Sequence, residues 1–214
     1  MFPLGHIFYG LQSRHYKCLI MDPPTRFVGG TNGRPQHYKR MSWEQIASLP
    51  LKDLAHPDGC WVFCWIGSPQ VRNMFKANEG WTTRKGVVVP GWGAKFSGRA
   101  FVWVKLKRKF AKLSPQPEIY HANDWHVGMG YGTRKNAEDC YLFKFGTPKR
   151  RSKKVRELIV DPVREHSRKP MMAMDRIIEF AEGPYCELFS RESDPRVEAW
   201  GDEAKKFDKA LMAA

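Results

Sequence analysis

The stretch Lys17-Cys18-Leu19-Ile20-Met21-Asp22-Pro23-Pro24-Thr25 limits the fold more than any other in the chain. An apolar run with strand character feeds an acidic residue, and two prolines then stop the chain from continuing as strand or turning into helix. Proline fixes its own φ and restricts the residue before it, so Asp22-Pro23-Pro24 is expected to form a stiff, extended corner. A run this apolar suits a strand placed centrally in a sheet and buried on both faces. A carboxylate at the C-terminal end of such a strand sits where open α/β sheets hold their ligands. The alternative is a strand-ending turn with a solvated aspartate.

The pattern downstream decides the fold class. Strands are expected over 16–21, 60–66, 87–89, 101–104, 140–145, 156–160 and 185–189. Ser42-Trp43-Glu44-Gln45 fits a capping box and begins a helix that Pro50 ends. Ser68-Pro69 opens a second helix and Gly80 closes it. Met171, Met174, Ile177, Ile178 and Ala181 recur at helical spacing, with Gly183 as the stop, and Gly201 precedes a charged C-terminal helix. Strands alternating with helices predict an α/β layered domain with a largely parallel sheet. At 214 residues the chain suits one domain over 1–214, with an irregular lead-in at 1–15 and a basic insertion loop at 106–127.

Charge narrows the partners. The formal net charge of +14 predicts a polyanion, nucleic acid first and an anionic membrane surface second. The charge is concentrated in Lys105-Leu106-Lys107-Arg108-Lys109-Phe110-Ala111-Lys112 and in Lys149-Arg150-Arg151-Ser152-Lys153-Lys154. No apolar run is long enough to span a bilayer and the N-terminus lacks a signal-peptide layout, so a cytoplasmic protein with no membrane partner is expected. Cys18, Cys60, Cys64, Cys140 and Cys186 are odd in number and lie in apolar stretches, which suits reduced thiols. Cys60 and Cys64 share a strand face with no partner pair nearby, and no histidines stand at metal-ligand spacing, so no metal is expected.

Several familiar sites are excluded. Gly128-Met129-Gly130 lacks the third glycine of a dinucleotide fingerprint, and neither a Walker loop nor a Gly-x-Ser-x-Gly elbow is present. Met171, Met172 and Met174 read as core packing. The Gly/Pro/basic stretch over 26–40 follows the Asp22 corner and reads as a substrate-facing loop. What remains is a pair of strand-end carboxylates, Asp22 and Glu187. Glu187-Leu188-Phe189-Ser190-Arg191 resembles the strand-end stretch that holds the polar groups of a nucleoside cofactor. If that cofactor carries a carboxylate, Lys169 is a candidate counter-ion, the alternative being a solvated lysine.

Taken together, the motifs resemble the MT-A70 family of S-adenosylmethionine-dependent N6-adenine methyltransferases. Asp22-Pro23-Pro24 matches the first three residues of the family's Asp-Pro-Pro-Trp motif, and Tyr38-Lys39-Arg40-Met41-Ser42 its Tyr-x-x-Met-Ser stretch. Gly128 to Glu138, Arg164 to Pro170, Gly183 to Phe189 and Trp200-Gly201-Asp202-Glu203 follow in the family's order. The resemblance implies a Rossmann-like methyltransferase fold with a circularly permuted motif order and S-adenosyl-L-methionine as cofactor. It implies a nucleic-acid substrate, DNA first and RNA second, and leaves a homo- or hetero-dimer open. It places Asp22, Pro23, Pro24 and Thr25 at the catalytic corner. It places Asp22, Lys169, Glu187, Phe189, Arg191, Asp202 and Glu203 around the cofactor. Arg26, Phe27, Tyr38, Arg134 and Lys135 are the expected substrate contacts.

The chemistry suits those residues. The exocyclic N6 of adenine is a weak nucleophile because its lone pair is delocalised into the ring. Hydrogen bonds from N6 to Asp22 and to the Pro23 carbonyl would localise that pair, and the paired prolines would hold the geometry. The departure is Thr25, where the family has an aromatic residue able to stack on the base; Phe27 or Tyr38 are the candidates to replace it. The alternative function is a catalytically silent, nucleic-acid-binding subunit of a methyltransferase complex.

Overall fold

The computed structural model describes residues 1–25, 40–112, 120–128, 132–165 and 168–208. In chain order the elements are β1 (Cys18–Met21), α1 (Trp43–Ala47), α2 (Leu51–Leu54), β2 (Gly59–Ile66) and α3 (Val71–Glu79). There follow β3 (Trp81–Thr82), β4 (Val88–Val89), β5 (Lys95–Leu106), β6 (Ala137–Gly146), β7 (Leu158–Pro162), α4 (Met171–Phe180), β8 (Tyr185–Leu188) and β9 (Glu198–Trp200). Seven strands make one sheet in the order β7-β5-β6-β2-β1-β8-β9, while β3 and β4 form a separate ribbon. Within the sheet β6 is antiparallel to both neighbours, and every other pairing is parallel. The strand that leads into Asp22 comes first in the chain and its neighbour β8 comes near the end, which is the permuted order expected.

Both faces of the central strands are covered. Leu19, Met21, Val62, Cys64 and Phe143 pack in one layer with Ile46, Leu51, Leu54 and Met74. Cys18, Ile20, Phe63, Trp65 and Cys140 pack in the other with Ala173 and Ile177 of α4. Every residue of β1 and β2 is therefore buried, and that is why both strands read as unbroken apolar runs rather than as alternation. Each large side chain so buried contributes about 1.5–3 kcal/mol. The capping box forms as expected. Gln45 N donates to Ser42 Oγ at 3.2 Å and Ser42 N donates to Gln45 Oε1 at 2.8 Å. All five cysteines are free and buried.

Several expectations need correction. The strand pieces at 87–89 and 101–104 do not belong together: Val88–Val89 pairs with Trp81–Thr82, and β5 begins at Lys95. The bulges between Phe96 and Gly98 and between Arg99 and Phe101 break the period of two that would have revealed the start of β5. The polar stretch before Cys140 is strand as well, because β6 starts at Ala137. Met171 and Met172 are exposed rather than packed, at 66% and 41%. The lead-in lacks regular elements, yet Phe8 is fully buried and meets Trp200 edge-on at 5.2 Å. After Gly201 the described residues form turns rather than a helix. Within the insertion loop Phe110 is buried, and the loop is tied back where Lys107 N donates to Asp124 O and His126 N to Lys105 O.

Candidate active site

The parallel strands all end on one edge of the sheet. Asp22 follows β1, Gly67 and Ser68 follow β2, Phe189 to Arg191 follow β8, and Gly201 to Glu203 follow β9. Because β6 runs the other way, its first residues, Ala137 and Glu138, arrive at the same edge beside Lys105 of β5. All of these line a cleft of 760 Å³.

A chain of alternating charges crosses the floor of that cleft. Lys169 Nζ donates to Asp22 Oδ2 at 2.7 Å and lies 3.0 Å from Glu138 Oε1. Lys105 Nζ donates to Glu138 Oε2 at 2.6 Å. The Lys169 and Glu138 side chains are each 14% exposed, against 30% for Asp22. Burial raises the Asp22 carboxyl above the usual range, and repulsion from Glu138 adds to that, while Lys169 opposes both. Burial would raise Glu138 too, but it faces two ammonium groups, Lys169 and Lys105, which hold it down to about 2. Burial alone would depress Lys169; the two carboxylates outweigh it and keep the amine charged. An ammonium has three donors, and two are used here, so one remains for a ligand carboxylate.

Lys169 is placed by its own segment. Arg164 donates from its guanidinium to the Lys169 carbonyl, and Arg168 is anchored to Glu192 and, at 2.7 Å, to Glu165. The corner itself is held by backbone contacts. Thr25 N donates to the Pro23 carbonyl at 2.8 Å and Met41 N to the Pro24 carbonyl at 2.9 Å. The Pro23 oxygen thus keeps one lone pair for a ligand.

The other half of the cleft lies at the ends of β8 and β9. Phe189 adopts a left-handed conformation, φ 64°, which is rare for a residue with a bulky side chain. It packs on Trp200 at 5.6 Å between ring centres. Gly201, φ +145°, lies so close that an added Cβ would sit 3.0 Å from Phe189 Cα. Arg191 Nε donates to Glu203 at 2.9 Å. Glu187 stands behind this wall and not on it: the Ser190 hydroxyl lies 2.8 Å from its Oε2, and burial pushes its carboxyl up to about 7.

Of the residues expected from sequence, Asp22, Pro23, Pro24, Thr25, Lys169, Phe189, Arg191, Asp202, Glu203 and Lys135 share the cleft wall. Glu187 and Arg134 do not line it. Arg26, Phe27 and Tyr38 lie outside the described residues, as does most of the 26–40 loop. Thr25 is 7% exposed and forms a bridge with Met41, so its side chain offers no stacking face. Sequence reasoning gave no site role to Glu138, although it closes one of the matched segments, or to His126. Glu138 hid in a stretch that reads as polar loop. His126 sits near the end of a basic connection, and the backbone contacts of Asp124, Trp125 and His126 with Lys107, Leu106 and Lys105 bring it to the cleft.

A mostly parallel sheet with one reversed strand, opened at its C-terminal strand ends, is a Rossmann-like methyltransferase fold. The chain belongs to the MT-A70 family, whose model matches residues 16–203. It is 26% identical over 224 residues to the type II methyltransferase M.MunI of Mycoplasma sp, covering 94% of this chain and 83% of that protein. It is also 26% identical over 204 residues to the human N(6)-adenine-specific methyltransferase METTL4, covering 90% of this chain but 38% of that protein. No helix among the described residues is long and apolar enough to cross a membrane.

Proposed function

We propose that the protein transfers a methyl group from S-adenosylmethionine to N6 of adenine in a polynucleotide, DNA first and RNA second. The observation that carries this is Asp22, held at the end of β1 by Lys169 with one carboxylate oxygen uncommitted among the described residues. The names of the two relatives support the reaction class, and the net charge of +14 supports a polyanionic substrate.

The cleft suits the cofactor. The spare donor of Lys169 matches a methionine carboxylate. Phe189 and Trp200 give an apolar wall on which a flat heterocycle can lie, and the close approach of Gly201 to the Phe189 backbone keeps the ends of β8 and β9 together beneath it. Asp202 and Glu203 on the same wall match ribose and adenine donors. When bound, S-adenosylmethionine supplies an electrophilic methyl group.

The chain's own residues do the rest. Asp22 and the Pro23 carbonyl accept hydrogen bonds from N6 and fix the direction of its lone pair. As N6 forms its new bond it becomes acidic, and Asp22 accepts the proton. A carboxyl raised by burial is a better base for this than a solvated one. In a duplex the base must first leave the stack, at a cost of roughly a few kcal/mol.

The test is transfer of labelled methyl from S-adenosylmethionine to DNA and to RNA, with N6-methyladenine identified by mass. Wild type is expected to label and Asp22→Asn to fall by at least about a hundredfold, the scale of a lost proton acceptor. Absence of product on both nucleic acids, or equal labelling by Asp22→Asn, would sink the reading.

A further inference from the structure

The basic residues fall into two populations. Four at or beside the cleft are neutralised internally, Lys105 and Lys169 by Asp22 and Glu138, Arg168 by Glu165 and Glu192, and Arg191 by Glu203, while Lys135 on the cleft wall donates to the Thr133 hydroxyl. Along β5, Arg99 is likewise paired, with Asp139 and Glu157, but two lysines nearer the start of the strand are not. Lys95 of β5 stands directly across from Lys144 of β6, and Lys144 directly across from Trp61 of β2. Like charges placed directly opposite repel and destabilise a sheet. Among the described residues neither lysine has a carboxylate within ion-pair distance. The Lys144 ammonium instead lies 5.9 Å from the centre of the Trp61 ring.

These side chains line a second cavity of 510 Å³, with Arg150 on its rim and Phe180 in its wall. The rim is fastened in place. Trp61 Nε1 donates to the Lys149 carbonyl at 3.2 Å, Arg151 N donates to Phe180 O at 2.8 Å, and Ser152 Oγ donates to Glu179 at 2.9 Å. The run over 149–154 is thus a basic ridge pinned along the end of α4, and Lys149, Arg150, Lys153 and Lys154 are exposed on it. A fixed, uncompensated cluster of cations that costs the sheet stability is what an anion-binding surface requires.

We propose that the Lys95–Lys144 pair and Arg150 bind the sugar-phosphate backbone of the polynucleotide at a point remote from the methyl-transfer cleft. Trp61 is 7% exposed, so it forms the floor and offers no ring face to a base. The contact is therefore to phosphates and carries no sequence information. From Lys95 to Lys105 the strand β5 runs about 30 Å at 3.3 Å per residue. A duplex rises 3.4 Å per base pair, so the surface engages roughly nine base pairs from the target adenine. A second copy of the chain carries the same +14 charge and fits less well, while an acidic protein using the exposed Phe96 on the cavity wall is the competing occupant that the test separates from phosphate binding.

This surface rests on the reading that the substrate is a polynucleotide, and the test separates the two. Binding of a long labelled duplex is measured by anisotropy against salt concentration for wild type, Asp22→Asn and the triple variant Lys95→Gln, Lys144→Gln, Arg150→Gln. Each phosphate contact contributes about 0.9 to the slope of log K against log salt. The triple variant is expected to lose about 2 to 3 from that slope, while a duplex ending a few base pairs from the target binds it and wild type alike. Its melting temperature should be no lower than wild type, since a repulsive pair has been removed. An unchanged slope overturns the surface, as does a variant that alters only self-association or capture of an acidic protein. If the slope changes but wild type methylates nothing, the enzyme reading fails and the surface stands.

Discussion

The ammonium of Lys169 lies 2.7 Å from Oδ2 of Asp22, although 147 residues separate them in the chain. The contact joins the corner at the end of β1 to the segment that leads into α4, and a second bond to Glu138 fixes the ammonium from the far side. Lys169 thereby does two things. It opposes the burial that raises the Asp22 carboxyl, and it presents its remaining donor to the cleft.

Lys169→Met separates those effects from simple packing, because methionine fills a similar volume without charge. Two carboxylates would remain buried without their shared cation. Removing one partner of a buried pair costs about 3–5 kcal/mol, which lowers Tm by roughly 10 °C in a domain of this size. The sign for activity follows from Asp22. Lys169 lowers its pKa, so losing the lysine raises it further, and the acidic limb of the pH–rate profile moves to higher pH. Calorimetry should also show loss of cofactor affinity. A variant with wild-type Tm and an unmoved limb would count against this role.

Glu138 governs acid stability. Its folded-state pKa of about 2 lies below the ordinary carboxylate value of 4.5, so in the unfolded chain it takes up a proton first as pH falls. The stability it supplies is complete above the unfolded value and is lost between about 4.5 and 2. At 1.36 kcal/mol per pKa unit the contribution is about 3 kcal/mol. Glu138→Gln is expected to lower stability at neutral pH and to flatten the acid-denaturation curve across that window. Urea titrations at a series of pH values measure both.

How much of this was legible differs by layer. β1, β2 and the Ser42 cap were readable because each rests on local rules: an apolar run long enough for a strand, or a capping sequence. Asp22 was readable because two prolines follow it. Glu138 was not, since Asn136, Glu138 and Asp139 together read as a polar stretch at a sheet end open to the cleft. The strand is defined by pairing with β2 and β5 rather than by its own pattern. Nor could spacing reveal that Lys105, read as part of a nucleic-acid-facing run, is half spent on Glu138. Long-range ion pairing leaves no periodic trace.

Gly201 tests the cofactor half of the cleft alone. A methyl group there would meet Phe189 Cα at 3.0 Å and would impose a side chain on a backbone with φ +145°. The strain is on the order of 1–3 kcal/mol, relieved by moving β9 away from Phe189. Gly201→Ala is expected to weaken S-adenosylmethionine binding at least about tenfold, since 1.4 kcal/mol corresponds to a factor of ten. Binding of polynucleotide should be unchanged, because the phosphate contacts lie elsewhere. A variant that binds cofactor normally would show that the strand ends do not form its floor.

The remaining question at the corner is what replaces the aromatic residue absent at Thr25. Thr25 is buried against Met41, so restoring tryptophan there would overpack the bridge at about 1–3 kcal/mol rather than create a stacking face. His126 is better placed. Its ring lines the cleft, its backbone is pinned to Lys105 O at 2.8 Å, and burial, then the Lys105 charge, lower its pKa below 6.5. Both effects favour the neutral imidazole, which can stack on a base without carrying charge into the cleft. Stacking contributes about 1–3 kcal/mol per base, so His126→Ala should raise KM for the nucleic acid roughly tenfold and change kcat little. His126→Phe should restore KM, because a ring face suffices and no proton is transferred. If phenylalanine fails where histidine succeeds, or if alanine leaves KM untouched, His126 does not hold the base. A general acid–base role predicts the opposite split, with kcat falling in both variants, so the two substitutions together decide what the histidine contributes.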